Sequence, residues 1–153
     1  MTTNQSFPRR DAGRILCLDM GEKRIGLAVS DPLGITAQGL EIWTRKNRQA
    51  DLDHLLQVAR DYQVQQIVVG LPRHMDGRPG AAAADILEFA GALAEALGVE
   101  LIPWDERLTT AAAERMLIQA DVSRRRRRRV LDQVAAVLIL QSYLDSLSQN
   151  PNS

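Results

Sequence analysis

A chain of 153 residues, 45% of them hydrophobic, is long enough to bury a core of its own, and its size suits one domain. Its 19 basic and 19 acidic residues cancel, its single cysteine excludes an intramolecular disulfide, and 4% aromatic content offers no base-stacking platform. No apolar leader opens the chain and no apolar run is long enough to span a bilayer, so the expectation is a cytoplasmic protein with no membrane partner.

The charge balance is global and not local. Lys23 and Lys46 are the two lysines; the other 17 basic residues are arginine, and Arg124, Arg125, Arg126, Arg127, Arg128 and Arg129 stand side by side. From Arg107 to Asp132, eight arginines face Glu114, Asp121 and Asp132, a local balance of +5.

Residues 1–13 are polar and expected to form a disordered tail, with a second short tail at 149–153, which leaves 14–148 as the domain. Alternation over Ile15–Met20 and Ile25–Ser30 predicts two strands joined by the polar turn Gly21-Glu22-Lys23-Arg24. Cys17, inside the first strand, reads as a buried structural thiol. Asp19 is the anomaly: a carboxylate near the end of an apolar strand is costly to bury unless protonated, paired or bound to a metal. Gly21 and Gly26 beside it would let a backbone or a phosphate approach closely.

After a turn at Asp31-Pro32-Leu33-Gly34, a third strand is expected over Ile35–Thr44, with Leu40, Ile42 and Trp43 packing. Leu52, Leu55, Leu56, Val58 and Ala59 recur at helical spacing within Ala50–Tyr62. Gln66–Pro72 is a continuous apolar run of the kind found in a central parallel strand. A loop over Arg73–Gly80, a helix over Ala81–Leu97 closed by Gly98, and a strand over Val99–Trp104 follow. Thr109 or Thr110 can cap a helix to Ala120. The arginine run then separates it from a last helix, Val130–Leu147, with Val134, Val137, Leu138, Leu144 and Leu147 on one face. His54 and His74 both read as structural.

The order β-β-β-α-β-α-β-α-α implies an α/β protein: a five-stranded mixed sheet, its first three strands an antiparallel meander, with helices on both faces. Acidic residues fall at element ends, namely Asp19, the pair Asp105-Glu106, and Asp132. If the strand ends lie together, these carboxylates cannot all stay ionised without cations, and such oxygen ligands select Mg2+ or Mn2+. Two such ions can activate water and stabilise the leaving oxygen of a phosphodiester. Each acid also has a structural explanation: Asp132 as complement to a helix N-terminus, Asp105-Glu106-Arg107 as a strand-end turn with a surface ion pair, Asp19 as a satisfied buried carboxylate.

The segments LDMGEKRIGLAVSD, GLPRHMDG, DERLTT and DQVAAVLIL resemble, in order, the four motifs of the YqgF/RuvX family, over about Arg14 to Tyr143. The resemblance implies an RNase H-like fold and the activities ascribed to that family, maturation of the 5′ end of pre-16S rRNA or resolution of Holliday junctions. It implies Asp19, Glu106 and Asp132 as catalytic carboxylates that bind Mg2+ or Mn2+, a two-metal site being expected, with Asp105 a further candidate ligand. Adjacent strand residues face opposite ways, so one of Asp105 and Glu106 is expected in the site. His74 departs from the family pattern.

Lys23, Arg24, Arg107 and the run Arg124–Arg129 are the candidate nucleic-acid contacts; the run adjoins Asp132 and would neutralise phosphates on either side of the cut bond. Backbone contact is expected over base readout. The leading expectation is a metal-dependent nuclease acting on a pre-16S rRNA leader, with the ribosome or a precursor as partner. Branched DNA is the alternative substrate. A monomer, or at most a weak dimer, is expected, because one carboxylate cluster makes one cut and the apolar helix faces are needed to cover the sheet. Two other classes compete. A non-catalytic module would bind nucleic acid through the arginines alone. An ATP-binding actin-like domain would share the Asp-x-Gly hairpin, but that fold needs two such domains and a second Asp-x-Gly loop, which nothing between Asp31 and Ser153 supplies.

Overall fold

The computed structural model describes residues 13–72, 81–106 and 124–148, with the backbone alone at 81 and over 124–134. Strands β1 (Arg14–Met20) and β2 (Arg24–Ser30) pair antiparallel, and the Gly21 amide donates to the Arg24 carbonyl at 2.8 Å to close the turn between them. Strand β3 (Ala37–Thr44) pairs antiparallel with β2, while β4 (Val64–Leu71) and β5 (Glu100–Asp105) lie parallel on the other side of β1. The sheet order is β3-β2-β1-β4-β5. The third strand starts two residues later than its composition suggests, because Asp31 Oδ1 accepts from the amides of Ile35 and Thr36 and holds both in the preceding turn.

Helix α1 (Arg48–Asp61) starts before the apolar spacing does, since Asn47 caps it by accepting from the Ala50 amide at 2.8 Å. Helix α2 (Ala81–Leu97) ends at Gly98, whose φ of +71° is the left-handed conformation that closes a helix without strain. Helix α3 (Arg124–Ser148) corrects the sequence reading. The arginine run does not separate two helices; it forms the first turns of this one, as the good helix propensity of arginine allows. Asp132 is therefore well inside a helix and does not complement a helix N-terminus. The helix expected to end at Ala120 and the loop carrying His74 lie outside the described residues.

Alternation along β1 divides its side chains between two layers. Leu16 and Leu18 join Leu27, Ile67 and Val69 under α1 and α2, against Leu55, Val58, Phe89, Ala90 and Leu93. Ile15 and Cys17 join Ala28 and Val68 under α3, against Ala136, Ile139, Leu140, Tyr143 and Leu144. The buried stripe of α3 thus differs from the face expected: Val137 and Leu138 are half-buried and Leu147 is 45% exposed. The run 134–140 is apolar nearly all round, so spacing alone does not choose its inner face. Among the described residues no helix is long and apolar enough to cross a membrane.

Candidate active site

Asp19 follows Ile15 and Cys17 on the side of β1 that faces α3, near the C-terminal end of the strand. Its partner across the β1–β2 ladder is Gly26, and Gly26 in turn pairs with Ile42. Asp19, half-buried, lines a cleft of about 330 Å³ together with Gly21, Glu22, Lys23, Arg24, Gly26 and Ile42. Lys23 and Arg24, both exposed, stand on the turn at its edge.

Glu106 follows β5 directly. Trp104, two residues earlier, packs under α3, its ring edge-on to Tyr143 at 5.7 Å between centroids. Alternation sends Glu106 to the same side and Asp105 to the other. Gly70 of β4, paired with Trp104, makes room for it: a Cβ there would lie 2.9 Å from Glu106 Cγ and 2.7 Å from Ile139 Cδ1. Through that gap the Glu106 carboxyl hydrogen-bonds to the carboxyl of Asp19. Burial first, then the hydrogen bond and charge of Asp19 and the charge of Asp105, push the Glu106 pKa up to about 8. Two carboxyls in hydrogen-bond contact share a proton and titrate as a pair. Cys17, fully buried beneath them, has its thiol pushed well above the ordinary range by burial, with the charges of Asp19 and Glu106 adding to it.

The far side of the hairpin turn is clamped by residues that sequence reasoning missed. Arg45 donates from Nη1 to the Gly21 carbonyl at 2.9 Å, and its amide donates to the Lys23 carbonyl at 2.8 Å. Asp51, 2% exposed, holds Arg45 Nε at 3.4 Å while accepting from the Trp43 indole at 2.9 Å and the Lys46 amide at 3.0 Å. Burial alone would raise its pKa, but the Lys46 amide, the indole and Arg45 hold it below the usual carboxylate range. His54 stacks on Trp43 at 3.7 Å and meets Glu41 at 2.9 Å, a packing role. Gly70 was equally missed, although a glycine interrupting an apolar strand run is itself a signal of close approach.

Of the expected site residues, the structure brings Asp19 and Glu106 together, with Asp105 adjoining and Lys23 and Arg24 at the cleft edge. Asp132 and Arg124 to Arg129 are seen as helix backbone only, and Arg107 lies outside the described residues. Among the described residues no three His, Cys, Asp or Glu side chains are grouped to hold a metal ion.

Residues 13–146 match the RuvX family, described as "Holliday junction resolvase". The chain belongs to the RuvX family. It is 55% identical over 137 residues to a protein of Moorella thermoacetica, covering 90% of this chain and 98% of that one. A protein of Halalkalibacterium halodurans is 54% identical over 134 residues, covering 86% and 96%. Both bear the name "Putative pre-16S rRNA nuclease".

Two solved structures share the fold of this RuvX-family chain. Thermus thermophilus RuvC, solved with a Holliday junction substrate, has a TM-score of 0.56 at 12% identity, covering 89% of this chain and 96% of that one. The fowlpox virus Holliday junction resolvase has a TM-score of 0.54 at 18% identity, covering 87% and 99%. The mixed five-stranded sheet with helices on both faces is thus the RNase H-like arrangement. Membership in the RuvX family makes the chain a nuclease by class, a phosphodiester hydrolase.

Proposed function

We propose that this RuvX-family chain is a metal-dependent nuclease that cuts the 5′ leader of pre-16S rRNA, with Asp19, Glu106 and Asp132 as its catalytic carboxylates. The observation that carries the reading is the Asp19–Glu106 carboxyl pair, in contact beside Gly70, with Asp19 lining a cleft edged by Lys23 and Arg24. Two acids pressed together repel unless a proton or a cation lies between them, and their hard oxygens fit Mg2+ or Mn2+.

The course of α3 supports the third member. Gln141 meets Ala37 at the start of β3, and Val137 lies over Gly39 further along, so α3 runs back towards the end of the sheet that carries Asp19. Position 132 is one helical turn before Ala136 on the sheet-facing stripe, and at ~1.5 Å per residue the arginines extend the helix beyond it by up to two turns. Asp105, sent to the opposite side by alternation, raises the pKa of its neighbour and is not assigned as a ligand.

When bound, the divalent cation supplies Lewis-acid polarisation of the scissile phosphate. The chain's own groups prepare that site. Asp19 and Glu106, which share a proton, would hold the cation in its place; Lys23 and Arg24 would orient the phosphates entering the cleft; the arginines before position 132 would neutralise those on the other flank.

The names of the close relatives favour the rRNA leader. So does counting sites: resolving a four-way junction takes two symmetric cuts, hence a C2 dimer with roughly 1,200 Å² or more of shared surface, whereas the apolar sides of α1, α2 and α3 are used against the sheet. We therefore assign a monomer, with the ribosome precursor presenting the leader. Single-turnover cleavage of an rRNA leader and a four-way junction, with Mg2+, Mn2+ or no metal, tests the reading beside sedimentation over a concentration series. Metal-dependent cutting of the leader by a monomer is expected; a tight dimer that nicks opposing junction strands and spares the RNA would transfer the assignment to branched DNA.

A further inference from the structure

The Asp19 cleft ends at the hairpin turn, and a larger one begins on the other side of the same turn. This second cleft, about 720 Å³ and open to solvent, has Lys23, Arg45, Lys46 and Arg48 on its walls and Phe89 among its lining residues. Glu22 and Lys23 line both clefts, so the two form one path around the turn. Among the described lining residues the acids are Glu22 and Asp51, and Asp51 is buried and taken up by Arg45, Trp43 and the Lys46 amide.

The four cations differ in what else they do. Arg45 is occupied in clamping the turn. Lys23 and Lys46 are exposed, and the Lys46 ammonium lies 5.0 Å from the centre of the Trp43 ring. Arg48 makes a bidentate pair with Glu88 at 2.6 and 2.8 Å, but both side chains are more than half exposed, and an exposed pair of that kind is readily exchanged for a phosphate. An open, basic cleft with one aromatic ring suits a sugar-phosphate backbone and not stacked bases.

We propose that this cleft takes the nucleic-acid backbone on one side of the cut bond, so that the substrate strand runs from Asp19 past Lys23 to Lys46 and Arg48. The inference rests on the nuclease reading for its register, and on the contiguity of the two clefts for its path.

The test uses the full chain and single-stranded RNA oligomers extended stepwise on the 5′ or the 3′ side of a mapped cleavage point. Binding without metal and single-turnover cleavage with Mg2+ are both measured. Lys46→Ala is expected to weaken binding by a factor that grows as the oligomer is extended on one side only. Its salt dependence should be shallower by about 0.7 in log affinity against log salt for the contact removed. Glu88→Gln, which releases Arg48, should tighten the same extended oligomers by about twofold to fivefold. If neither variant changes affinity or salt slope at any length while the wild type cleaves, the cleft is off the substrate path and the inference fails alone. If the wild type cleaves nothing yet the Lys46 effect grows with length, the cleft stands as a backbone-binding surface and the nuclease reading falls. Tightening by Glu88→Gln on a protein ligand but on no oligomer would overturn the nucleic-acid assignment.

Discussion

Two carboxylate groups flank one hairpin turn, and their surroundings drive them in opposite directions. Asp51 is surrounded by donors, the Lys46 amide, the Trp43 indole and Arg45, which overcome its burial and keep it ionised. Glu106 meets burial and then the acids Asp19 and Asp105, and its pKa rises to about 8. A buried carboxylate whose lone pairs are met by donors is a structural joint; one pressed against other acids is poised for a proton or a cation. Surface exposure alone does not separate the two cases, since Asp51 exposes less of its surface than Glu106 does.

The largest effect should follow from removing one acid of the poised pair. Asp19→Asn deletes a proposed ligand but spares the basic surface, so cleavage should fall by more than ~100-fold, beyond what loss of an outer partner to a ligand costs, while nucleic-acid affinity is nearly kept. Because the amide relieves like-charge repulsion, thermal stability without metal should stay level or rise. A chain that still cleaves within a few-fold of wild type would remove Asp19 from the site, and one that binds as before without cutting excludes a purely passive binding module.

Asp51→Ala should do the reverse. It leaves the indole, the Lys46 amide and Arg45 without their acceptor, so denaturant unfolding should register a loss of about 3 kcal/mol. The turn carrying Lys23 is then no longer clamped through Arg45, and substrate affinity should weaken along with stability. Unchanged stability would show that the comparison overrates Asp51.

Gly70→Ala sharpens the contrast without touching a charge. The added methyl would sit 2.9 Å from Glu106 Cγ and 2.7 Å from Ile139 Cδ1, closer than real Cβ contacts allow, so Glu106 or Ile139 must shift. A loss of about 1–3 kcal/mol is expected from overpacking, with cleavage reduced about tenfold as Glu106 moves away from Asp19. Full activity in a stable Gly70→Ala protein would show that Glu106 does not work through this gap.

How much of this was legible in the sequence depends on the range over which each signal acts. The hairpin is written in alternation over six or seven residues and the central parallel strand in a continuous apolar run, and the structure has both; Asp19 stands out against the same alternation. The choice of Glu106 over Asp105 needed both alternation and the facing of Trp104. Gly70 was not read, because its meaning depends on Ile139 and Glu106, which local patterning does not bring near it. Asp51 carries no local mark, an acid in the first turn of a helix being ordinary; its three donors come from the end of β3 and the link after it. The arginine run was misread as a break because charge density suggested solvation, whereas helix propensity decided.

The smallest effect, and the one that tests both halves of the comparison in a single protein, is the dependence of metal-free stability on pH. The Glu106 pKa is raised in the fold from 4.5 to about 8, so between those values the native chain holds a proton that the unfolded chain has released. Its contribution is complete below about 4.5 and is lost as pH rises to about 8. The Asp51 pKa is lowered from 3.8, so its contribution is present above that value and is lost as pH falls through its folded pKa, with Asp31, held down by the Thr36 and Ile35 amides, acting in the same direction. Melting temperature with a chelator present should therefore pass through a maximum in mildly acid solution and decline on both flanks. Asp19→Asn should flatten the alkaline flank in part, since burial remains the largest cause of the Glu106 shift, and Asp51→Asn should flatten the acid flank alone. Mg2+ held by the pair would stand in place of the shared proton, so its addition should remove the alkaline decline. If Asp19→Asn left that decline at its full slope, the two acids would not be coupled, and the carboxyl pair at the centre of the functional assignment would have to be abandoned.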